Sequence, residues 1–536
     1  MNTKVSVVVA GLFVASGLIL PASMSAAQKA APARPEVMTD IYHDTSLPVR
    51  EYSLELPHGK RPREIERPRP RSILVDARLP VRDTAEQRTE LAPPVSATVG
   101  FNFEGIPNSA NGQSLEGIPS DDNLATGATQ VVETINTAWQ VFDKTTGKSV
   151  FGPQQISAIF TGMSGFCGQG QTFNWTDPVV MYDQMANRWI ISQIAAKDGN
   201  FQTTDECIAV SESSDATGKY HRYSFTFGNN VLNDYDKLSV WPDAYYASYN
   251  LFSPTNFIAA DACAYDRAAM LTGAATKVVC FKKPTEFSLL PSNLDGATAP
   301  PTGEPAFFVD LSTATSLHLF RFHVDFTTPK NSTFKGPFSI KVKAYTLACG
   351  SGGVCIPQPE TTQQLDTLGN RLMFRLAYRN FGDHETLVAS HSVQTSKAVS
   401  GERWYEIRDP NGTPAVFQQG TVTHFSNSLW MGSIAMDKAG DMALGFSQSN
   451  GTTLHPSLAF TGRVPGDPLN TMESVASIFT GKGSATDADR WGDYSSMVID
   501  PSDDCTFWYV NQYVPTTGTA FNFHTRVASL KFPTCQ

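Results

Sequence analysis

Short apolar runs of five to nine residues alternate with polar, turn-forming clusters along most of the chain, and no sustained 3.6-residue period interrupts them. The clearest example is the stretch from Asp489 to Trp508. A polar entry (Arg490–Asp493) feeds the apolar Ser495–Ile499, Asp500-Pro501-Ser502-Asp503-Asp504 makes a turn, and Thr506-Phe507-Trp508 returns. This reads as two adjacent strands of one sheet. Looser copies occur at Asp177–Asp183 with Arg188–Ile191, at Trp241–Tyr246, and at Phe307–Asp310 with Leu317–Val324. Further copies are Arg371–Arg379 with Glu385–Val393, and Trp430–Asp437 with Met442–Phe446. Taking Asp183, Asp243, Asp310, Arg379, Asp437 and Asp500 as equivalent turn positions gives spacings of 60, 67, 69, 58 and 63 residues.

Near-even spacing of that length is the mark of a repeated supersecondary unit, and about 60 residues suits a four-stranded propeller blade. Six copies predict six blades, and the hairpin around Asp143 supplies a seventh. The expected fold is all-β: a single β-propeller over residues 100–536, with seven four-stranded blades favoured and six and eight open. Composition agrees, with 39 glycines, 34 prolines, 33 phenylalanines and only 17% charged residues, as many short strands and turns require.

The first 27 residues have the form of a signal peptide: Lys4, an apolar run from Val7 to Leu20, and the small residues Ser25-Ala26-Ala27. The run is shorter than a bilayer span, and no later apolar segment is long enough. The expectation is a secreted or periplasmic protein with no membrane insertion after signal cleavage. Residues 28–99 are rich in proline and arginine, with nearly balanced charge and few large apolar side chains, and predict a flexible leader or pro-segment. A polyproline-like docking strip is the alternative for this stretch. The net charge of -10 argues against general nucleic-acid binding.

Eight cysteines in an exported chain imply disulfides. Proximity in sequence pairs Cys349 with Cys355, Cys263 with Cys280 and Cys505 with Cys535, which leaves Cys167 for Cys207. No CxxC or His-rich spacing supports a metal alternative, so no cofactor is expected beyond a possible structural calcium at Asp500–Asp504.

In a propeller the entries of the innermost strands converge on one mouth of the central channel. This gathers Asp121 or Asp122, Asp177, Asp243, Glu304, Arg371, Trp430, Arg490, Trp491 and Asp493 into a mixed ring of carboxylates, guanidinium groups and aromatics. Such a ring suits a glycan. Paired carboxylates run glycoside hydrolysis, with Asp177, Asp243 and Asp493 as candidates, while Asp121, Arg371, Trp430, Arg490 and Trp491 would bind substrate. A lyase would instead use a base such as His or Tyr, for which His384-Glu385, Tyr378 and Tyr405 are available. The alternative function is a non-catalytic cell-surface propeller that binds protein or polysaccharide. No G-x-S-x-G, P-loop or H-E-x-x-H pattern is present.

The phrases at 177–183, 371–380, 431–437 and 490–495 resemble a group of large exported bacterial proteins thought to be β-propellers. More distantly, Asp183–Trp189 and Asp437–Gly440 are similar to the repeated turn of sialidase-type propellers, although the sialidase arginine triad, tyrosine and glutamate have no matching positions.

Overall fold

The computed structural model describes residues 1, 3, 34–52, 81–88, 94–107, 109–110, 113–114, 117–169, 175–197, 202–350, 353–396 and 399–536. Arg34–Gln536 forms one compact unit; the signal-peptide segment lies outside the described residues apart from Met1 and Thr3.

The chain is all-β, built from four-stranded antiparallel sheets in the manner of a β-propeller. Among the described residues, seven four-stranded sets follow one another in the sequence. Their first strands are Asn123–Thr126, Trp175–Asp183, Leu232–Val240, Leu290–Leu294, Met373–Asn380, Ser428–Met436 and Ser496–Ile499. Each first strand touches the next, and Ser496–Ile499 touches Asn123–Thr126, so the seven close a ring. We number the sheets one to seven in that order. Sheets four and five are additionally joined by parallel pairing of Ser292–Leu294 with Leu376–Tyr378.

The inner strands are buried on both faces because each sheet lies between two others, while outer strands such as Ser149–Gln155 and Thr333–Lys341 are partly exposed. Arg188–Ala196 is buried at every position but the first, and Ser428–Met436 at every position. Such strands read as continuous apolar runs rather than strict alternation.

Sheet seven mixes chain ends: Ser496–Ile499, Thr506–Tyr513 and His524–Lys531 come from the C-terminus, and Thr98–Glu104 is added as its outer strand. The Cys505–Cys535 disulfide clamps this sheet, and the other three expected pairs also form. A cross-link over a separation of 30 residues restricts the unfolded chain by about 3 kcal/mol or more. Replacing Cys505 and Cys535 together by serine should lower unfolding stability by about that amount, read as a shift in urea midpoint.

Two sequence expectations about the turns change. Asp310 is not a first-hairpin residue: it lies in Ala306–Thr313, the second strand of sheet four, and Asp295 follows that sheet's first strand. The Asp143 hairpin joins the third and fourth strands of sheet one, Ala138–Asp143 and Ser149–Gln155, rather than the first two.

Parts of the expected leader are also ordered. Glu36–Thr39 pairs with Lys277–Cys280 on the outer strand of sheet three, and Tyr42–Thr45 pairs with His221–Ser224 on that of sheet two. Asp83 is buried in an ion pair with Arg403 at 2.6 Å, and Ala85 and Gln87 bond the backbone of Thr421. An edge strand needs only backbone donors and acceptors, so a segment poor in large apolar residues can still bind there. Residues 53–80, which hold most of the arginine-proline run, lie outside the described residues.

The turn aspartates are structural. Asp183 Oδ1 accepts from the Met185 and Ala186 amides, and Asp437 Oδ1 from those of Ala439 and Asp441. Asp183 also pairs with Arg267 at 2.6 Å, linking sheets two and three, and Asp500 with Lys144 at 2.9 Å, linking seven and one. Asp503 accepts from Lys531 and the Cys505 and Thr506 amides, and Asp504 pairs with Arg379. The carboxylates of the suggested calcium turn are therefore engaged by protein donors.

Burial of acids without full pairing gives a second prediction. Glu133 and Glu402 are completely buried, each with one carboxyl oxygen that meets no donor among the described residues, and burial pushes both up to about 8. The native state then holds protons that the unfolded chain releases near pH 4.5. Their contribution is fully favourable below that pH and is lost as pH rises towards 8, at about 1.4 kcal/mol per pH unit per group. Urea midpoints should fall across this window, and Glu402→Gln should flatten the fall.

Candidate functional site

The entries of the first strands share a backbone feature. Asp121, Asp177, Tyr235, Met431 and Asp493 all have positive φ, between 52° and 61°. At Asp177, Tyr235 and Met431 the first strand bulges, shifting register between Thr176 and Val179, Asp234 and Lys237, and Trp430 and Ser433. Asp tolerates this region, but Tyr and Met adopt it at a cost of about 1–3 kcal/mol. The bulges lie at the entry end of their first strands. Strain of this kind concentrates where a site is being built.

Tyr235 links the centre. Its amide donates to Asp177 Oδ2 at 3.0 Å, and its hydroxyl donates to the Asp493 carbonyl at 3.3 Å. Asp177 is 3% exposed and accepts a second bond from the Thr176 hydroxyl at 2.6 Å. Asp493 pairs with Arg490 through two bonds, of 2.5 and 3.2 Å.

Between them lies Lys237, fully buried, with Nζ 3.7 Å from the Tyr235 ring centre and 3.9 Å from that of Tyr494. Nζ donates to the Asp236 carbonyl at 2.6 Å. Glu206 and Asp236 complete the cluster; Glu206 accepts from Asn233 Nδ2 at 3.0 Å and Asp236 from the Ser192 hydroxyl at 3.1 Å.

Burial raises Asp177, Asp236 and Glu206 above the ordinary carboxyl range, with the like charges of neighbouring acids adding to it and Lys237 opposing it. Burial likewise lowers Lys237, opposed by Asp236 and Asp177. Titratable groups with environments this different, packed on one axis, are the arrangement that proton transfer uses.

Of the residues singled out in sequence, Asp121, Asp177, Arg371, Arg490 and Asp493 come together at this end. Asp121 Oδ2 accepts from Asn136 Nδ2 at 3.4 Å, and the Asp121 amide donates to the Gly492 carbonyl. The Arg371 guanidinium stacks on Tyr235 at 4.3 Å and on Phe287 at 5.0 Å.

Trp430 and Trp491 do not present ring faces to a ligand. They are completely buried, pack against each other at 5.9 Å, and belong to the core beneath the cluster. Asp243 is separated from the others: it follows the far end of Leu232–Val240, in the hairpin to Tyr245–Phe252, and accepts from the Tyr246 hydroxyl. Glu304 sits in the corresponding hairpin of sheet four, bonded by Asn411. His384 pairs with Asp383, and Tyr378 bonds Glu385, also at that end.

The hairpin end of the ring holds a cleft of about 360 Å³ lined by Tyr182, Gln184, Asn187, Gly296 and Ser502. Arg375 lies below it, paired with Asp295 and donating to the Met497 carbonyl at 2.7 Å. The Asp295 carboxylate is thus neutralised by Arg375, unlike the acid-rich cluster opposite.

Sequence reasoning missed Tyr235, Asp236, Lys237, Glu206 and Tyr494. The available signal was the polar run Asn233–Lys237 directly before the apolar Leu238–Trp241, where a first strand would be entered.

No protein-family model matches this chain, and no curated protein does. Solved structures do. An exo-β-1,3-galactanase from Clostridium thermocellum aligns with 78% of this chain and 83% of its own at 8% identity and a TM-score of 0.31. An endo-arabinanase of glycoside hydrolase family 43 from Bacillus licheniformis aligns with 64% of this chain and 93% of its own, at 10% identity and a TM-score of 0.29. An endo-arabinase from Bacteroides thetaiotaomicron aligns with 66% and 96%, at 11% identity and 0.28. Likeness at this level carries neither an activity nor a set of site residues to this chain.

Proposed function

We propose that the chain is an exported, seven-bladed β-propeller that acts on an extracellular glycan at its axial cluster. The observation that carries this reading is the meeting of Asp177 and Asp493, bridged by Tyr235, in unlike environments. Hydrolysis of a glycosidic bond needs one carboxyl that gives a proton to the leaving oxygen and one carboxylate that activates water or attacks the sugar. Asp177, raised by burial, suits the proton donor. Asp493, held by Arg490, suits the carboxylate.

Arg371 and Arg490 would then orient hydroxyl or anionic groups of the substrate, and Asp121 would accept from a hydroxyl. The four disulfides support an oxidising compartment outside the cytoplasm, as the signal-peptide form of residues 1–27 also does. The seven-blade count is supported by the closed succession of first strands.

The burial of Asp177 and Asp493, at 3% and 6% exposure, favours a second reading in which the same end binds protein or polysaccharide without turnover. The deciding experiment is incubation of the purified chain with neutral, uronic and sialylated glycans, following both reducing-end release and the ultraviolet absorbance of unsaturated products. New reducing ends without absorbance establish a hydrolase, and absorbance establishes a lyase. Retention on an immobilised polymer with neither signal establishes the binding module.

A further inference from the structure

Sheet four holds a second polar cluster, away from the axial carboxylates. Glu286 lies in the connection leading to Leu290–Leu294, Asp310 in the second strand of the sheet, and His318 in the third, Ser316–His323. One ligand atom from each falls within 4.8 Å of the other two. His318 Nδ1 is 2.9 Å from Glu286 Oε2. Asp310 is 0% exposed and Glu286 5% exposed.

The cluster has more acceptors than donors. Asp310 Oδ2 receives a long bond of 3.4 Å from the Phe287 amide, and Asp310 Oδ1 meets no donor among the described residues. Glu286 Oε1 accepts from the Thr285 hydroxyl at 3.0 Å. Two buried carboxyls thus meet beside a single imidazole, an arrangement that costs free energy unless a shared proton or a cation joins it.

We infer that Glu286, Asp310 and His318 form a binding site for a divalent transition-metal cation. Two carboxylate oxygens and one imidazole nitrogen are a donor set that suits Zn²⁺ or Mn²⁺ better than Ca²⁺, which prefers six or more oxygens. Three protein ligands leave a position for water. The parts that orient ligands are present, since Ser312 Oγ lies 2.8 Å from His318 Nε2 and Thr285 steadies Glu286. A bound ion would tie the connection from sheet three to two strands of sheet four, so its role is in holding the ring rather than in turnover.

The test uses the purified full-length chain, stripped with chelator and titrated with Zn²⁺ by calorimetry, with Ca²⁺ as the contrast. The expected result is one Zn²⁺ per chain, a raised thermal midpoint and no comparable Ca²⁺ binding. Asp310→Asn and His318→Ala should each weaken binding by at least about tenfold. Co²⁺ in place of Zn²⁺ should give visible d–d absorption in the unsubstituted chain, a readout that stands even where a variant fails to fold. The absence of stoichiometric binding and of the Co²⁺ spectrum would overturn the site. So would binding that both folded variants retain, which would assign the metal to surface histidines. Either failure leaves the glycan reading untouched.

Discussion

Asp177→Asn should reduce glycan turnover by about a thousandfold, within the 10²–10⁴ that positioned proton transfer contributes, while the far-ultraviolet circular dichroism stays unchanged. The asparagine oxygen can still accept from the Tyr235 amide, while its NH2 group donates to the Thr176 hydroxyl in place of the bond the carboxylate accepted, so the bulge and its positive φ are kept. What is lost is the proton. Substrate affinity should change little, because Arg371 and Arg490 are untouched, and the loss should fall on kcat rather than KM. An equal rise in KM with kcat preserved would move Asp177 from proton transfer to binding.

The second large effect is on stability. Lys237→Met removes the buried ammonium from between the Tyr235 and Tyr494 rings and leaves Asp177, Asp236 and Glu206 without their central cation. Methionine fills a similar volume, so the cost is electrostatic rather than a cavity. Removing one partner of a buried ionic group costs about 3–5 kcal/mol, which a urea titration would register plainly. A loss below about 1 kcal/mol would mean that Lys237 contributes no charge to the native cluster.

Much of the ring was legible because its turns carry chemistry of their own. Asp183, Asp437 and Asp500 stand where a first strand turns back, and each accepts backbone amides there, so the residue type announces the turn. Sheet four broke the pattern. Its first hairpin runs from Asp295 to Pro305, and an aspartate in the second strand at a similar spacing took its place in the sequence reading.

The N-terminal edge strands were hidden for another reason. Glu36–Thr39 and Tyr42–Thr45 bind through backbone pairing with mostly exposed side chains, which leaves no hydrophobic signature. The site was half legible. Asp121, Asp177 and Asp493 are read from their position before a strand, but the bulge at Tyr235 and Lys237 appears in sequence only as a polar run. Trp430 and Trp491 looked like ligand platforms and are core, packed against each other among buried apolar side chains.

The central claim is that the strand-entry end of the ring, and not the hairpin end, performs the chemistry. It is tested most directly by reducing-end release from the responsive glycan, measured side by side for the unsubstituted chain, Asp177→Asn and Asp243→Asn. The account predicts that Asp177→Asn is silent and Asp243→Asn turns over as the unsubstituted chain does. A silent Asp243→Asn beside an active Asp177→Asn would contradict it and place the chemistry at the opposite mouth.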